Sequence, residues 1–223
     1  MRTIMVALGE TDCETITRGA LAQPVNAISS LAFSVVGVAV IVWAGAAHAW
    51  ERRFRLVVGT MLVLTGLGSF LYHGPQGTGS LFAHDLTFLA VLTVIGGTHL
   101  ALAVGWNERS AWLAVGLVIA LYAVVLVVWP TATNVLTASA VILVIGGDIP
   151  LHRIGGIEGA WYAAALVMLG LAVTFFLLGR SDGPICDPES VLQGHGLWHV
   201  LAAGAVGAYV VATAPARIRR ESR

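Results

Sequence analysis

Seven stretches of this chain are apolar for about as long as a helix must be to cross a bilayer, and short polar breaks separate them. A bilayer core of about 30 Å needs roughly 20 residues of helix. Spans of that kind fall at 26–47, 54–73, 83–105, 110–128, 132–149, 158–178 and 190–212. Backbone amides cannot stay unpaired in lipid, so each span must close its own hydrogen bonds as a helix. The expected fold is therefore all-α: a seven-transmembrane helix bundle spanning 26–212, with an N-terminal segment at 1–25 and a basic tail at 213–223. Charged residues are only 11% of the chain, against about 25% in a soluble domain, which agrees with an integral, multi-pass membrane protein. The fifth span, bounded by Pro130 and Pro150, is the shortest and could tilt or kink.

The breaks contain Glu51-Arg52-Arg53, Gly74-Pro75-Gln76-Gly77, Trp106 to Arg109, Trp129-Pro130, His152 to Gly156, and the run Arg180 to Glu189. Arginines retained on the cytoplasmic side set the orientation. One face carries nine: Arg52, Arg53, Arg55, Arg109, Arg153, Arg217, Arg219, Arg220 and Arg223. The other carries three, Arg2, Arg18 and Arg180. The N-terminus is expected outside and the C-terminus in the cytoplasm. Glu10, Asp12 and Glu14 follow so closely on Met1 to Gly9 that this opening is too short for a signal peptide. Val-Ile-Gly-Gly occurs at both Val94 and Val144, too short to define a repeat.

Cys13 and Cys186 both fall on the expected outer face, where a disulfide persists. Bridging them would close most of the chain and contribute up to about 5 kcal/mol in the chain-entropy account; two separate thiols are the alternative. Every basic residue is arginine and the formal charge is zero. That argues against a nucleic-acid surface and excludes lysine chemistry, a retinal Schiff base included.

Ionisable residues inside a membrane are functional candidates by default. His73 closes the second span, Asp85 opens the third, and His195 and His199 lie one turn apart in the seventh, about 7 and 13 Å along that span at 1.5 Å per residue. This topology puts all four, with Ser69 one turn below His73, in the outer half at similar depth. Residues four apart share a helix face, so both late histidines can address one ion. Three imidazoles with an open fourth position suit zinc.

The pattern Gly66-x-Gly68-Ser69-x-x-Tyr72-His73, then Asp85, then Gly194-His195-x-x-Trp198-His199 resembles the alkaline ceramidase family, within the superfamily that includes progestin and adipoQ receptors. The resemblance extends to Cys13-Glu14 and to Asn26-x-x-Ser29, with the middle helices similar in hydropathy alone. It implies that His73, His195 and His199 hold zinc, that Asp85 is the acid/base, that Ser69 steadies the water or oxyanion, and that Cys13 pairs with Cys186. It also implies a calcium site near Asp12 and Glu14. Here, however, Ile16 and Gln23 stand where oxygen-rich anionic residues are expected, and a hard cation wants six or more oxygens; a solvated acidic segment is the other reading.

The activity implied is hydrolysis of the amide bond of an N-acyl lipid such as ceramide, releasing a fatty acid, with the site towards the extracytoplasmic face. The alternatives are a receptor-like protein with a structural or signalling zinc, a lipid-ester hydrolase, and a proton or metal transporter. A transporter would spread its ionisable groups across the membrane. Among the remaining polar residues, His84 is expected beside the site rather than as a fourth ligand. Asp148 and His152, four apart, are expected to pair at a helix end. His48 and His99 need no special role, and Glu158 sits where a helix N-terminus favours an anion.

Overall fold

The computed structural model describes residues 8–47 and 49–213. His48, Arg2 and the arginines of the basic tail lie outside the described residues. Seven α-helices form, each long and apolar enough to cross a membrane, and no strand occurs among the described residues. They are α1 (Pro24–Trp43), α2 (Ala49–His73), α3 (Ser80–Ala103), α4 (Glu108–Val128), α5 (Thr133–Arg153), α6 (Gly159–Leu178) and α7 (Gly194–Ala212). Short 3₁₀ turns follow α1 at Ala44–Ala46 and precede α5 at Pro130–Ala132.

Helix ends depart from the expected spans where side chains satisfy the backbone or one another. Helix α2 starts five residues early because Glu51 and Arg55, one turn apart, form a buried ion pair, while Arg55 also caps the Trp43 carbonyl at 3.2 Å. The expected break at Glu51-Arg52-Arg53 is thus helical, and Arg53 reaches Glu108 at the start of α4, 2.7 Å away. Helix α5 continues past Pro150 for one more turn. Glu158 caps α6, accepting from the amides of Ala160 and Trp161, as its position suggested. Helix α7 begins at Gly194, four residues after the expected start. His195 and His199 therefore lie only about 1.5 and 7.5 Å along it.

Packed neighbours follow the order α5–α3–α2–α1–α7–α6, with α4 against α3. The ends of that row, α5 and α6, pack little against one another. Phe54, Val58 and Leu62 of α2 meet Phe33 and Val40 of α1, Val91, Val94 and Ile95 of α3, and Ala202, Ala203 and Val210 of α7 in one core. Large apolar side chains also face outward, among them Leu117, Val124 and Val127 on α4 and Val167, Leu171 and Leu177 on α6, as a lipid-facing surface requires.

Because lipid removes the hydrophobic drive between helices, close backbone approach through small residues supplies the packing. At the α1/α2 crossing a Cβ on Gly37 would stand 2.6 Å from the Gly59 carbonyl oxygen. At the α3/α5 crossing a Cβ on Gly96 would stand 2.6 Å from the Val144 nitrogen, and one on Gly147 2.8 Å from the Gly96 oxygen. The two Val-Ile-Gly-Gly segments are thus the two halves of one helix crossing.

Candidate metal centre

The N-terminal segment, the end of α2 and the start of α7 meet at one end of the bundle. A disulfide joins Cys13 to Cys186, with Cα atoms 5.7 Å apart, tying the segment to the α6–α7 loop. Beneath it, His73, His195 and His199 are all buried. One nitrogen from each ring lies within 4.8 Å of the others, and ring centroids are separated by 4.8 Å (His73–His195), 5.2 Å (His73–His199) and 4.6 Å (His195–His199). The three imidazoles form a group able to hold a metal ion.

The tautomers follow from the neighbours. The Gln23 amide nitrogen donates to the carbonyls of Gly9 and Glu14 at 2.9 and 3.0 Å, so its oxygen must be the atom facing His73 Nδ1 at 2.8 Å. That oxygen can only accept, so His73 Nδ1 carries the proton and Nε2 the lone pair. The Ser29 hydroxyl donates to the Asn26 carbonyl at 3.1 Å and leaves its oxygen to accept from His199 Nδ1 at 3.0 Å. Asp12 Oδ1 stands 3.3 Å from His195 Nδ1, within ion-pair range though not aligned as a hydrogen bond. Each Nδ1 therefore faces an oxygen, and each Nε2 is left as a ligand atom.

Two of those atoms, Nε2 of His73 and of His195, are buried with no hydrogen-bond partner. Orphaned buried polar atoms are costly, and a cation shared among the rings would satisfy them. The donor set fits zinc, for which three imidazoles leave one coordination position open. Oxygen partners on the far nitrogens are the usual means of orienting such ligands.

Ser69 joins the group, its hydroxyl 3.3 Å from His199 Nε2. Asp85 stands beside it, not among the clustered donors. Its carboxylate accepts from His84 Nδ1 at 2.8 Å and from the Thr133 hydroxyl of α5. The His84 ring stacks on Tyr72, centroids 4.6 Å apart, and turns its edge to His73 at 6.1 Å. Among the described residues His84 is not in the clustered set.

Glu14 uses both carboxylate oxygens on the first free amides of α1, Val25 at 2.7 Å and Asn26 at 2.8 Å. Helix starts leave such amides without intrahelical partners. That arrangement frees Gln23, the residue preceding α1, to serve His73. With Asp12 turned to the histidines, Asp12 and Glu14 join no third carboxylate in a shared cluster among the described residues.

Gln23 and Asp12 were not legible as histidine partners, because neither spacing nor helical period links residues 12 and 23 to residues 73 and 195. Ser29 was marked only through the Asn26-x-x-Ser29 pattern. At the other end of the bundle, the expected Asp148–His152 pair does not form. Asp148 instead accepts from the hydroxyls of Tyr209, at short range, and Tyr162, at 3.0 Å, while His152 is exposed. His99, expected to need no role, is fully buried and bonds the Tyr209 hydroxyl at 3.1 Å. Asp148 is half-buried and turns to the donors that tyrosines from α6 and α7 offer it.

No protein-family model and no curated protein matches this chain.

Proposed function

We propose that this protein is a zinc-dependent intramembrane hydrolase that cleaves the amide bond of an N-acyl lipid such as ceramide, as its resemblance to the alkaline ceramidases implies. One observation carries the reading: three buried imidazoles from two helices have their Nδ1 atoms faced by oxygens and each offer one nitrogen within 4.8 Å of the others. Zinc held there supplies Lewis acidity, polarising a carbonyl and making water a competent nucleophile near neutral pH. The lining residues then supply the rest.

Ser69, already within reach of the His199 ligand nitrogen, donates a hydrogen bond to the carbonyl oxygen as it becomes negative. Asp85, coupled to His84, takes the proton that water loses on attacking the carbonyl carbon. It returns that proton to the nitrogen as the C–N bond breaks. The products are a fatty acid and an amine.

The weak α5/α6 seam supports access from the bilayer. Thr133 of α5 touches Asp85, and Phe176 of α6 packs against His195 with ring centroids 5.4 Å apart, so both helices that flank the seam reach the site at this end. The arginine distribution supports an extracytoplasmic position for this end.

The test is metal content and fatty-acid release from ceramide by the purified full chain in detergent. About one zinc per chain, with activity and metal both lost in His199→Ala, is the expected result. Protein that holds zinc yet releases no fatty acid from ceramide or related amides overturns the amidase reading.

A further inference from the structure

Two of the three histidines are oriented from residues next to or within a membrane helix: Gln23 immediately precedes α1, and Ser29 lies inside it. The third, His195, has no such support, and both its ring nitrogens lack a hydrogen bond. A carboxylate oxygen stands 3.3 Å from its Nδ1, and it belongs to Asp12, which comes from the segment outside the helices. Asp12 is only 5% exposed. Among the described residues, the cationic or imidazole groups within 4 Å of its carboxylate are His195, with Oδ1 at 3.3 Å from Nδ1, and His73, with Oδ2 at 3.9 Å from Nδ1.

Asp12 has no helix to hold it in place, so the surrounding loops must. Its neighbour Cys13 carries the disulfide to Cys186. The same strip of chain is stitched to the α6–α7 loop by Cys13 N–H to Ser181 Oγ at 3.2 Å, Ser181 Oγ–H to the Glu10 carbonyl at 2.9 Å, and Ser181 N–H to the Thr11 carbonyl at 3.1 Å. That loop leads directly into α7, whose second residue is His195. The bridge therefore joins the two pieces of chain that carry Asp12 and His195.

We propose that Asp12 is the positioning carboxylate of the metal centre, aligning His195 and secondarily His73 through their Nδ1 atoms, and that the Cys13–Cys186 bridge holds it there. The bridge then contributes to metal affinity as well as to folding. This rests on the zinc reading above, and it assigns Asp12 to the histidines in place of a separate cation.

The experiment is a metal-affinity measurement on the full chain in detergent: zinc competition against a chromophoric chelator, with the visible spectrum of the cobalt-substituted protein as the reporter of ligand geometry. Loss of a carboxylate behind a metal-bound imidazole typically weakens affinity by about 10–100-fold. Asp12→Ala is expected to fall in that range and to alter the cobalt spectrum. Asp12→Asn, which keeps an acceptor oxygen of the same reach, is expected to recover part of both. The Cys13→Ser/Cys186→Ser pair is expected to weaken binding comparably, and adding Asp12→Ala to it to cost little more, since residues acting as one unit are not additive.

Wild-type affinity and spectrum in folded Asp12→Ala overturn the assignment while leaving the three-histidine centre standing. Full additivity of the cysteine and aspartate changes overturns the role of the bridge. A purely structural Asp12 would lower the thermal midpoint equally in Asn and Ala variants without moving affinity or spectrum, which also overturns it. A wild-type chain that binds neither zinc nor cobalt sinks the centre and this inference together, and that outcome is distinguished by its insensitivity to His199→Ala.

Discussion

Gln23 and His73 are joined side chain to side chain, the Gln23 oxygen accepting from His73 Nδ1 at 2.8 Å while its amide nitrogen spans the carbonyls of Gly9 and Glu14. One amide thereby selects a tautomer and anchors the N-terminal segment over the bundle. A carboxylate at position 23 could do the first but not the second.

Gln23→Glu is accordingly expected to retain metal and to lose about 1–3 kcal/mol of stability, because the buried Glu14 carbonyl loses its donor, while the Gly9 carbonyl keeps the Asp12 amide. Gln23→Leu is expected to lose metal affinity as well, by about 10–100-fold. Thermal unfolding and chelator competition, run on both variants, separate the two effects.

Ser69 offers a different separation. If its hydroxyl serves the reacting carbonyl, Ser69→Ala keeps its zinc and loses roughly 10²–10³ in turnover, the size seen when one oxyanion donor is removed. Metal stoichiometry and fatty-acid release measured on the same preparation check this.

The Asp148 cluster lies at the opposite end, since Tyr209 stands about 21 Å along α7 from His195 at 1.5 Å per residue. Asp148→Leu leaves the Tyr162 hydroxyl without its acceptor and the Tyr209 hydroxyl with His99 Nδ1 as its remaining partner. A loss of about 1–3 kcal/mol is expected for the orphaned group, with zinc content unchanged. A melting curve and a metal assay on this variant report both.

Glycine crossings predict a contrast. Gly96→Ala places a Cβ against the backbone of Val144 and Leu143 on α5, forcing packed helices apart at about 1–3 kcal/mol. Gly116→Ala on α4 meets nothing within 4 Å and is expected to be neutral or to stabilise by up to about 1 kcal/mol through helix propensity. Thermal midpoints of the two variants in the same detergent should move in opposite directions or differ by several degrees.

The number and approximate limits of the helices, the meeting of Cys13 with Cys186, and the convergence of His73, Ser69, His195 and His199 were all legible from residue order. Hydropathy is a local property, helical period is a fixed rotation per residue, and short turns force antiparallel neighbours, so depth and face follow from counting. Three other features depended on which helix lies beside which: the placing of Gln23, Ser29 and Asp12 on the far nitrogens, the docking of one Val-Ile-Gly-Gly segment on the other, and the turn of Asp148 towards Tyr209 and Tyr162 rather than His152. Lateral order and axial rotation of membrane helices arise from side-chain fit and donor–acceptor pairing between distant segments. Those are properties of the packed bundle, and no single segment carries them.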